Sequence, residues 1–382
     1  MDPPEGPRVT QPQDVAMETV QLLTPEGTRV ADARYDHRVA HLDADALRGF
    51  YADMVLTRRF DTEATALQRQ GELGLFTPSM GQEAAQVGSA HALAPQDWAF
   101  PAYREHGVLH VRGVDLVDVL KQFRGVEHGG WDPAEHHVHL FTLVVGAHPL
   151  HAVGYAMGMQ RDGVVGTGDP QRDAGVIAYL GDGATSQGDV SEALVFAGAS
   201  DAPVVFFVQN NQWAISVPVG TQSKVPLAQR GQGFGIPTVR VDGNDVLASY
   251  AVTAEAMERA HRGHGPTFIE AVTYRMGAHT TSDDPLRYRE DDEVAAWRAK
   301  DPIDRLRRYL ESAGELPQDF LADLEARSEA LARHVRDGVH AMTAPEPTSM
   351  FDHVYASPHS LVQSERAWFE QYESGLAEGG AR

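Results

Sequence analysis

After Asp43 the apolar residues recur at three- and four-residue intervals: Leu47, Phe50, Tyr51, Met54, Phe60, Ala64 and Leu67 share one helical face. Asp43 is a capping residue type and Gly71 a stop, so the pattern predicts one long helix whose stripe packs into a core. Further along the period changes. GVIAYL before Gly181 and PVVFFVQ before Asn210 are unbroken β-branched and aromatic runs, as in strands buried on both faces of a parallel sheet. DVSEALVFAGAS between them reads as a helix, giving a β-α-β unit. TVRV before Asp242 and TFIEAVTYR before Met276 repeat the pattern around a helix through Val246 to Arg262. The expected fold class is therefore α/β, a doubly wound parallel sheet. Such sheets bind ligands outside the carboxyl ends of their strands, so the residues just after each run carry the interest.

The flanks differ. Residues 1–42 read as an extended arm, because turn residues interrupt every apolar run; only VQLLTPEG hints at a strand. The α/β domain spans 43–300. In 301–382, Leu321, Leu324, Leu331, Val335 and Val339 form the apolar face of a helical layer over the sheet. A tail follows in which Met350, Phe351 and Tyr355 stand among polar residues, either for docking or for packing on the same domain.

Composition narrows the chemistry. The 382 residues carry 54 acidic and 32 basic side chains, a net charge of −22, which argues against nonspecific nucleic-acid binding. There is no cysteine, which excludes disulfides, thiolate catalysis and cysteine-held metal clusters. No apolar run approaches the roughly 18 residues of a membrane span, and MDPPEGPRVTQPQDVA lacks a signal pattern, so a cytoplasmic protein is expected.

Two motifs stand where a ligand is expected. Gly181-Asp182-Gly183-Ala184 follows the first buried run and Asn210-Asn211-Gln212-Trp213 the second. Alone, GDG is an ordinary strand-to-helix turn. Behind strands expected to be adjacent the pair converges, and a carboxylate, an amide oxygen and a backbone carbonyl are hard donors of the kind Mg²⁺ accepts. Glycines beside Asp182 leave backbone N–H groups free for a diphosphate at the start of a helix. Two other features are set aside. His136, His137 and His139, with His148 and His151 beyond, have no carboxylate at metal-ligand spacing and read as packing or loop residues. Gly231, Gly233 and Gly235 mimic part of a dinucleotide fingerprint, but no strand immediately precedes them.

GDG followed by NN resembles the thiamine-diphosphate signature. The flanks GDGATSQGDVSEA and APVVFFVQNNQWAIS resemble the alpha subunit of the first component of 2-oxo acid dehydrogenases, a group that includes pyruvate, branched-chain and acetoin dehydrogenases. The resemblance runs from about residue 45 to 300 and includes ALQRQGELGL, GQEAAQVGSAHAL, FPAYREHG and YRMGAHTTSDDPLRYR. It implies that Asp182 and Asn211 hold Mg²⁺ by side chain and Trp213 by its main-chain carbonyl. Gly181, Gly183 and Ala184 then lie along the cofactor, Tyr103 and Arg104 contact its diphosphate, and Leu143 and Val145 offer main-chain contacts to the aminopyrimidine. His279 matches the active-site histidine, able to change charge near neutral pH. Asp283, Asp284, Arg287 and Arg289 would order its loop by ion pairs, and Thr280 stands where mammalian relatives carry a phosphorylated serine.

Thiamine-diphosphate chemistry also needs a glutamate beside the aminopyrimidine, from a second α/β domain this chain lacks. The resemblance therefore implies a beta subunit, an α₂β₂ assembly with the cofactor at the interface, and a lipoyl-bearing acyltransferase partner. GAHTTSDD favours branched-chain 2-oxo acids over pyruvate, although some bacterial pyruvate enzymes share the DDPxRYR ending. A self-sufficient carboligase and a non-catalytic regulatory subunit are the competing readings.

Overall fold

The computed structural model describes residues 17–141 and 143–379; residues 1–16 of the expected arm lie outside it. Among the described residues seven strands form, β1 (Trp98–Phe100), β2 (Val176–Gly181), β3 (Val204–Asn210), β4 (Trp213–Ala214), β5 (Val217–Pro218), β6 (Thr238–Asp242) and β7 (Thr267–Val272). Five of them build one sheet in the order β1-β2-β3-β7-β6, every pairing parallel. The four predicted runs are β2, β3, β6 and β7. Strand β1 was not foreseen; three residues with Pro95 and Pro101 nearby make too short a run to register.

Alternation along the strands explains why the runs had to be unbroken. Ile177, Tyr179, Val205, Phe207 and Ile269 face one core, whereas Val176, Ala178, Val204, Phe206 and Phe268 face the other. Helices His148–Arg161 and Gly188–Ser200 cover the second face, through Ala152, Ala156, Val190 and Leu194. Helix Val246–His261 covers the first. The chain moves from β1 to β3 in one direction and from β6 to β7 in the other. Crossovers of one hand then require helices on opposite faces, and the reversal falls between β3 and β7.

The long predicted helix is Ala44–Arg69, capped by the Asp43 carboxylate, which accepts from the Ala46 N–H at 2.9 Å. Beneath it lies Glu83–His91, so tightly set against Val246–His261 that a Cβ on Gly88 would stand 2.6 Å from the Val246 carbonyl. The helical layer differs from expectation in its place. Helix Gln318–Ala341 packs Leu324, Val335 and Val339 on Ala44–Arg69 and Leu116–Arg124, not directly on the sheet. The first core was deep enough to need a second helical tier. Of the tail, Phe351 packs on Phe369 of helix Ser360–Gly379, while Met350 and Tyr355 stay exposed. Among the described residues no helix is long and apolar enough to cross a membrane.

The described part of the arm is extended but not free. Val20 bridges to Val241 on the outer edge of β6, and Leu22 and Leu23 are fully buried. An unpaired sheet edge needs cover, and the arm supplies it. Asp245 fastens it: one carboxylate oxygen accepts from the N–H groups of Leu22 and Leu23, the other from those of Leu247 and Ala248 at the start of Val246–His261. Asp245→Ala strips four buried donors of their acceptor. It is expected to lower stability by about 3 kcal/mol or more, read from the denaturant midpoint, whereas Asp36→Ala at the surface should change it far less.

Candidate active site

Parallel pairing sets Gly181 beside Gln209, so the residues that follow, Asp182 and Asn211, leave the sheet side by side. After β2 the chain makes a 3₁₀ turn, Gly183–Ser186, and the α-helix begins only at Gly188. The expected helix start at GDG is thus displaced by one turn, and the helix dipole does not begin at Asp182. A Cβ on Gly183 would lie 2.7 Å from the Ala214 Cβ, so this glycine lets the turn pack against the hairpin β4–β5. Gly181 has open space on its Cβ side instead.

Asp182 is buried, and its carboxylate accepts from Gln222 at 3.0 Å. Burial pushes its pKa up to about 6, against the pull of that bond and of the Arg275 charge. Asn211 donates to the Gln82 side-chain oxygen at 3.1 Å, which turns its own amide oxygen toward the Trp213 N–H. The Trp213 carbonyl accepts from Arg275 at 3.0 Å. Among the described residues no group of three or more His, Asp or Glu could hold a metal ion. The trio here contains a single carboxylate, a donor set that suits an ion bringing phosphate and water oxygens with it.

Opposite this carboxylate sit two guanidinium groups. Arg104 donates to the Pro78 carbonyl at 2.5 Å, to the His279 carbonyl at 2.9 Å and to His279 Nδ1 at 3.3 Å. Arg275 reaches the same Nδ1 at 3.3 Å and also holds the Ile215 carbonyl and the Tyr288 hydroxyl. Guanidinium only donates, so Nδ1 must accept and the imidazole proton belongs on Nε2. Burial, Arg104 and Arg275 together drive the His279 pKa down to about 3. The imidazole therefore stays neutral at neutral pH, contrary to the expectation that it changes charge there. Burial beside Arg104 likewise lowers Arg275 to about 10. No carboxylate lies within ion-pair distance of Arg104 or Arg275 among the described residues, which makes the cluster receptive to an anion.

The loop around His279 is ordered differently from the expected ion pairs. Asp283 accepts from the His279 N–H at 2.9 Å and from the Tyr288 hydroxyl, and Arg289 donates to the carbonyls of Arg275, Met276 and Gly277. Only Arg287 and Asp284 approach as ions, at an exposed 3.9 Å. Hydrogen bonds to buried carbonyls do the ordering because the loop is folded back on its own backbone.

These groups line one cavity of about 280 Å³ at the carboxyl ends of β2, β3 and β7. Tyr103, Arg104, Val145, Gly181, Asp182, Gly183, Ala184, Asn211, Trp213 and His279 all border it; Leu143 does not, and is exposed nearby. Tyr103 stands edge-on to the His279 ring at 6.4 Å. Missing from the sequence reading were Arg275, Gln82, Glu105 and Gln209, and His148, set aside there with the histidine cluster, also borders the cavity. Gln209 donates to Glu105 at 2.5 Å and accepts from Gln86, which also holds the Arg104 carbonyl; this buried chain ties the Tyr103–Arg104 loop to β3. Gln209 and Arg275 each end a buried run, a polar residue where the pattern had been apolar, which was the available signal. The histidine cluster serves packing: His137 stacks on Trp98 and His139 on Phe100.

An α/β sheet with an acid, an amide and paired guanidinium groups at the carboxyl ends of its strands is chemically suited to an anionic ligand. The chain belongs to the family described as Dehydrogenase E1 component, whose model matches residues 51–348. It is 48% identical over 364 residues to the 3-methyl-2-oxobutanoate dehydrogenase subunit alpha of Mycobacterium tuberculosis, covering 95% of each chain. It is 40% identical over 339 residues to the pyruvate dehydrogenase E1 component subunit alpha of Acholeplasma laidlawii, with 88% of this chain and 96% of that one covered. The corresponding subunit of Staphylococcus epidermidis is 37% identical over 359 residues, with 93% and 92% covered.

The tautomer argument has a direct check. In the cofactor-free protein, ring ¹⁵N shifts of His279 should show no protonation between pH 8 and about 4. A transition near the ordinary 6.5 would mean that the two arginines do not act on it. Since the folded value is the lower one, the unfolded chain takes up this proton first. The His279 contribution to stability is complete above pH 6.5 and declines as the pH falls below it.

Proposed function

We propose that the cavity binds thiamine diphosphate with Mg²⁺, and that the chain is the alpha subunit of a 2-oxo acid dehydrogenase first component acting on 3-methyl-2-oxobutanoate. The observation that carries this reading is the meeting in one cavity of a buried carboxylate and two buried guanidinium groups, each short of a counter-charge. A Mg²⁺-diphosphate answers both needs. Asp182 and Asn211 would hold the ion by side-chain oxygens and Trp213 by its carbonyl, whose second lone pair stays available beside the Arg275 bond. Arg104 and Arg275 would take the phosphate oxygens, for which a guanidinium fork is suited. Tyr103, Gly181, Gly183 and Ala184 border the same space, and Val145 stands at its mouth.

When bound, thiamine diphosphate supplies the nucleophilic carbon and the electron sink for decarboxylating a 2-oxo acid. The chain's own part is to hold the diphosphate and to present a neutral His279 whose Nε2–H donates without adding a third positive charge. Among the described residues Glu105 is the one glutamate on the cavity wall, and Gln209 already engages it. The glutamate for the aminopyrimidine is accordingly assigned to a beta subunit. Val144, Val145 and Ile215 form an exposed apolar rim at the mouth that such a partner would cover. The acyl group would pass to the lipoyl group of an acyltransferase component. The branched-chain substrate rests on the higher identity to the mycobacterial subunit than to the two pyruvate dehydrogenase subunits.

The test mixes the chain with a candidate beta chain, Mg²⁺, thiamine diphosphate and an artificial electron acceptor. Acceptor reduction is expected only in the mixture, with the larger kcat/KM for 3-methyl-2-oxobutanoate. Robust turnover by the chain alone would overturn the subunit reading, and a preference for pyruvate would make this the acetyl-transferring enzyme. Asp182→Asn should lose Mg²⁺-dependent cofactor binding, seen by Trp213 fluorescence, while keeping its melting temperature. Arg104→Met should lower kcat/KM by about 10²–10³-fold.

A further inference from the structure

At the amino-terminal ends of β6 and β7, at the opposite end of the sheet from Asp182 and Asn211, a second groove of about 260 Å³ opens between the arm and helix Val246–His261. Four arginines border it: Arg34 and Arg38 from the arm side, Arg259 and Arg262 from the end of the helix. They share two carboxylates. Arg34 reaches Glu255 at 3.0 Å, and both Arg38 and Arg262 reach Glu258. Arg259 has no ion-pair partner among the described residues.

The groove is also short of acceptors. The Nε–H groups of Arg38 and Arg259 are buried without a hydrogen-bond partner, and so is the hydroxyl of Thr267. Thr267 itself is only 5% exposed and lies on the groove wall. A simpler role for Arg259 and Arg262 is to face the carbonyl end of their helix. That end carries roughly half a negative charge, so it offsets only a fraction of the surplus. Nor is the surplus forced by composition, since the chain has 54 acidic residues against 32 basic ones. Unpaired carboxylates are plentiful elsewhere, and this groove remains positive.

A ligand that fits must be rich in acceptors, negatively charged and without donors that need partners. Guanidinium groups bind phosphate oxygens in paired bonds, and a threonine hydroxyl adds a third donor. Pro237, Val239, Val252 and Ala256 give the groove an apolar wall that a bare ion would leave uncovered. We propose that this groove is a binding site for the phosphate group of a small phosphorylated metabolite, separate from the cofactor cavity. It does not depend on the function proposed above.

The full chain is titrated calorimetrically with inorganic phosphate and with adenosine diphosphate, each at constant ionic strength against chloride. Saturable binding of one equivalent at the groove is expected, and it should persist in Arg104→Gln, in which the cofactor cavity has lost one of its two guanidinium groups. Arg259→Gln and Thr267→Val should each weaken it by about tenfold, the loss of one hydrogen bond to a charged group. Both variants should keep the wild-type melting temperature without ligand, and Arg104→Gln should leave the affinity unchanged. Tighter binding of the diphosphate nucleotide than of phosphate would show that the apolar wall is used; equal affinity would show that the phosphate alone is read. Absence of saturable binding would overturn the proposal, as would binding indifferent to Arg259→Gln. Binding abolished by Arg104→Gln would also overturn it, because the anion would then sit in the cofactor cavity.

Discussion

The parallel pairing of β2 with β3 is the constraint from which the rest of the site follows. With Gly181 level with Gln209, the residues after each strand emerge at one height, and Asp182 and Asn211 meet without any long-range adjustment. A slip of one residue would turn every side chain of a strand to the opposite face. Both faces are filled, Phe206 into one core and Phe207 into the other, so register is held from two sides. The reversal of chain direction beyond β3 then opens the space into which Arg275 and His279 descend from β7.

Within that space burial works against the charges of the cavity's own side chains. Asp182 resists ionising and Arg275 is eased toward losing its proton, because each is buried where its charge is poorly answered. An ion pair between them would relieve both, yet none lies within bonding distance among the described residues. The surrounding hydrogen bonds prevent collapse: Gln222 holds Asp182, while carbonyls of Trp213 and Ile215 hold Arg275. Separation of opposite charges by a rigid shell is unfavourable for folding and favourable for a ligand carrying both signs. The neutral His279 belongs to the same arrangement, since two guanidinium groups already crowd its ring nitrogen.

Particular elements show what a pattern of residues can and cannot disclose. The helix beginning after Asp43 was legible because cap, stripe and stop agree locally. Strands β2 and β3 were legible because burial on both faces leaves no polar position to interrupt Val176–Leu180 and Val204–Val208, and β6 and β7 because they repeat that pattern around a helix despite Arg240 and Glu270. Strand β1 was not, being three residues long, with β2 on one side and only an isolated bridge from Ala99 to Val138 on the other. The arm's burial against β6 was hidden as well, because it depends on Asp245, more than 200 residues away along the chain. The same holds for the helical layer, whose apolar face was visible while its seat on Ala44–Arg69 was not.

For the site, the chain's own order of residues determined the chemistry: an acid and an amide behind two buried runs, a Tyr-Arg pair, and a histidine after a third run. Those are local facts, set by which side chain follows which strand end. Tertiary structure alone decided the protonation of His279, the place of Arg275, the exclusion of Leu143 from the cavity and the tie between Gln209 and Glu105. Each of these depends on distances between segments far apart in sequence. Electrostatic energy falls with distance and rises with burial, and neither quantity is written in the order of the residues.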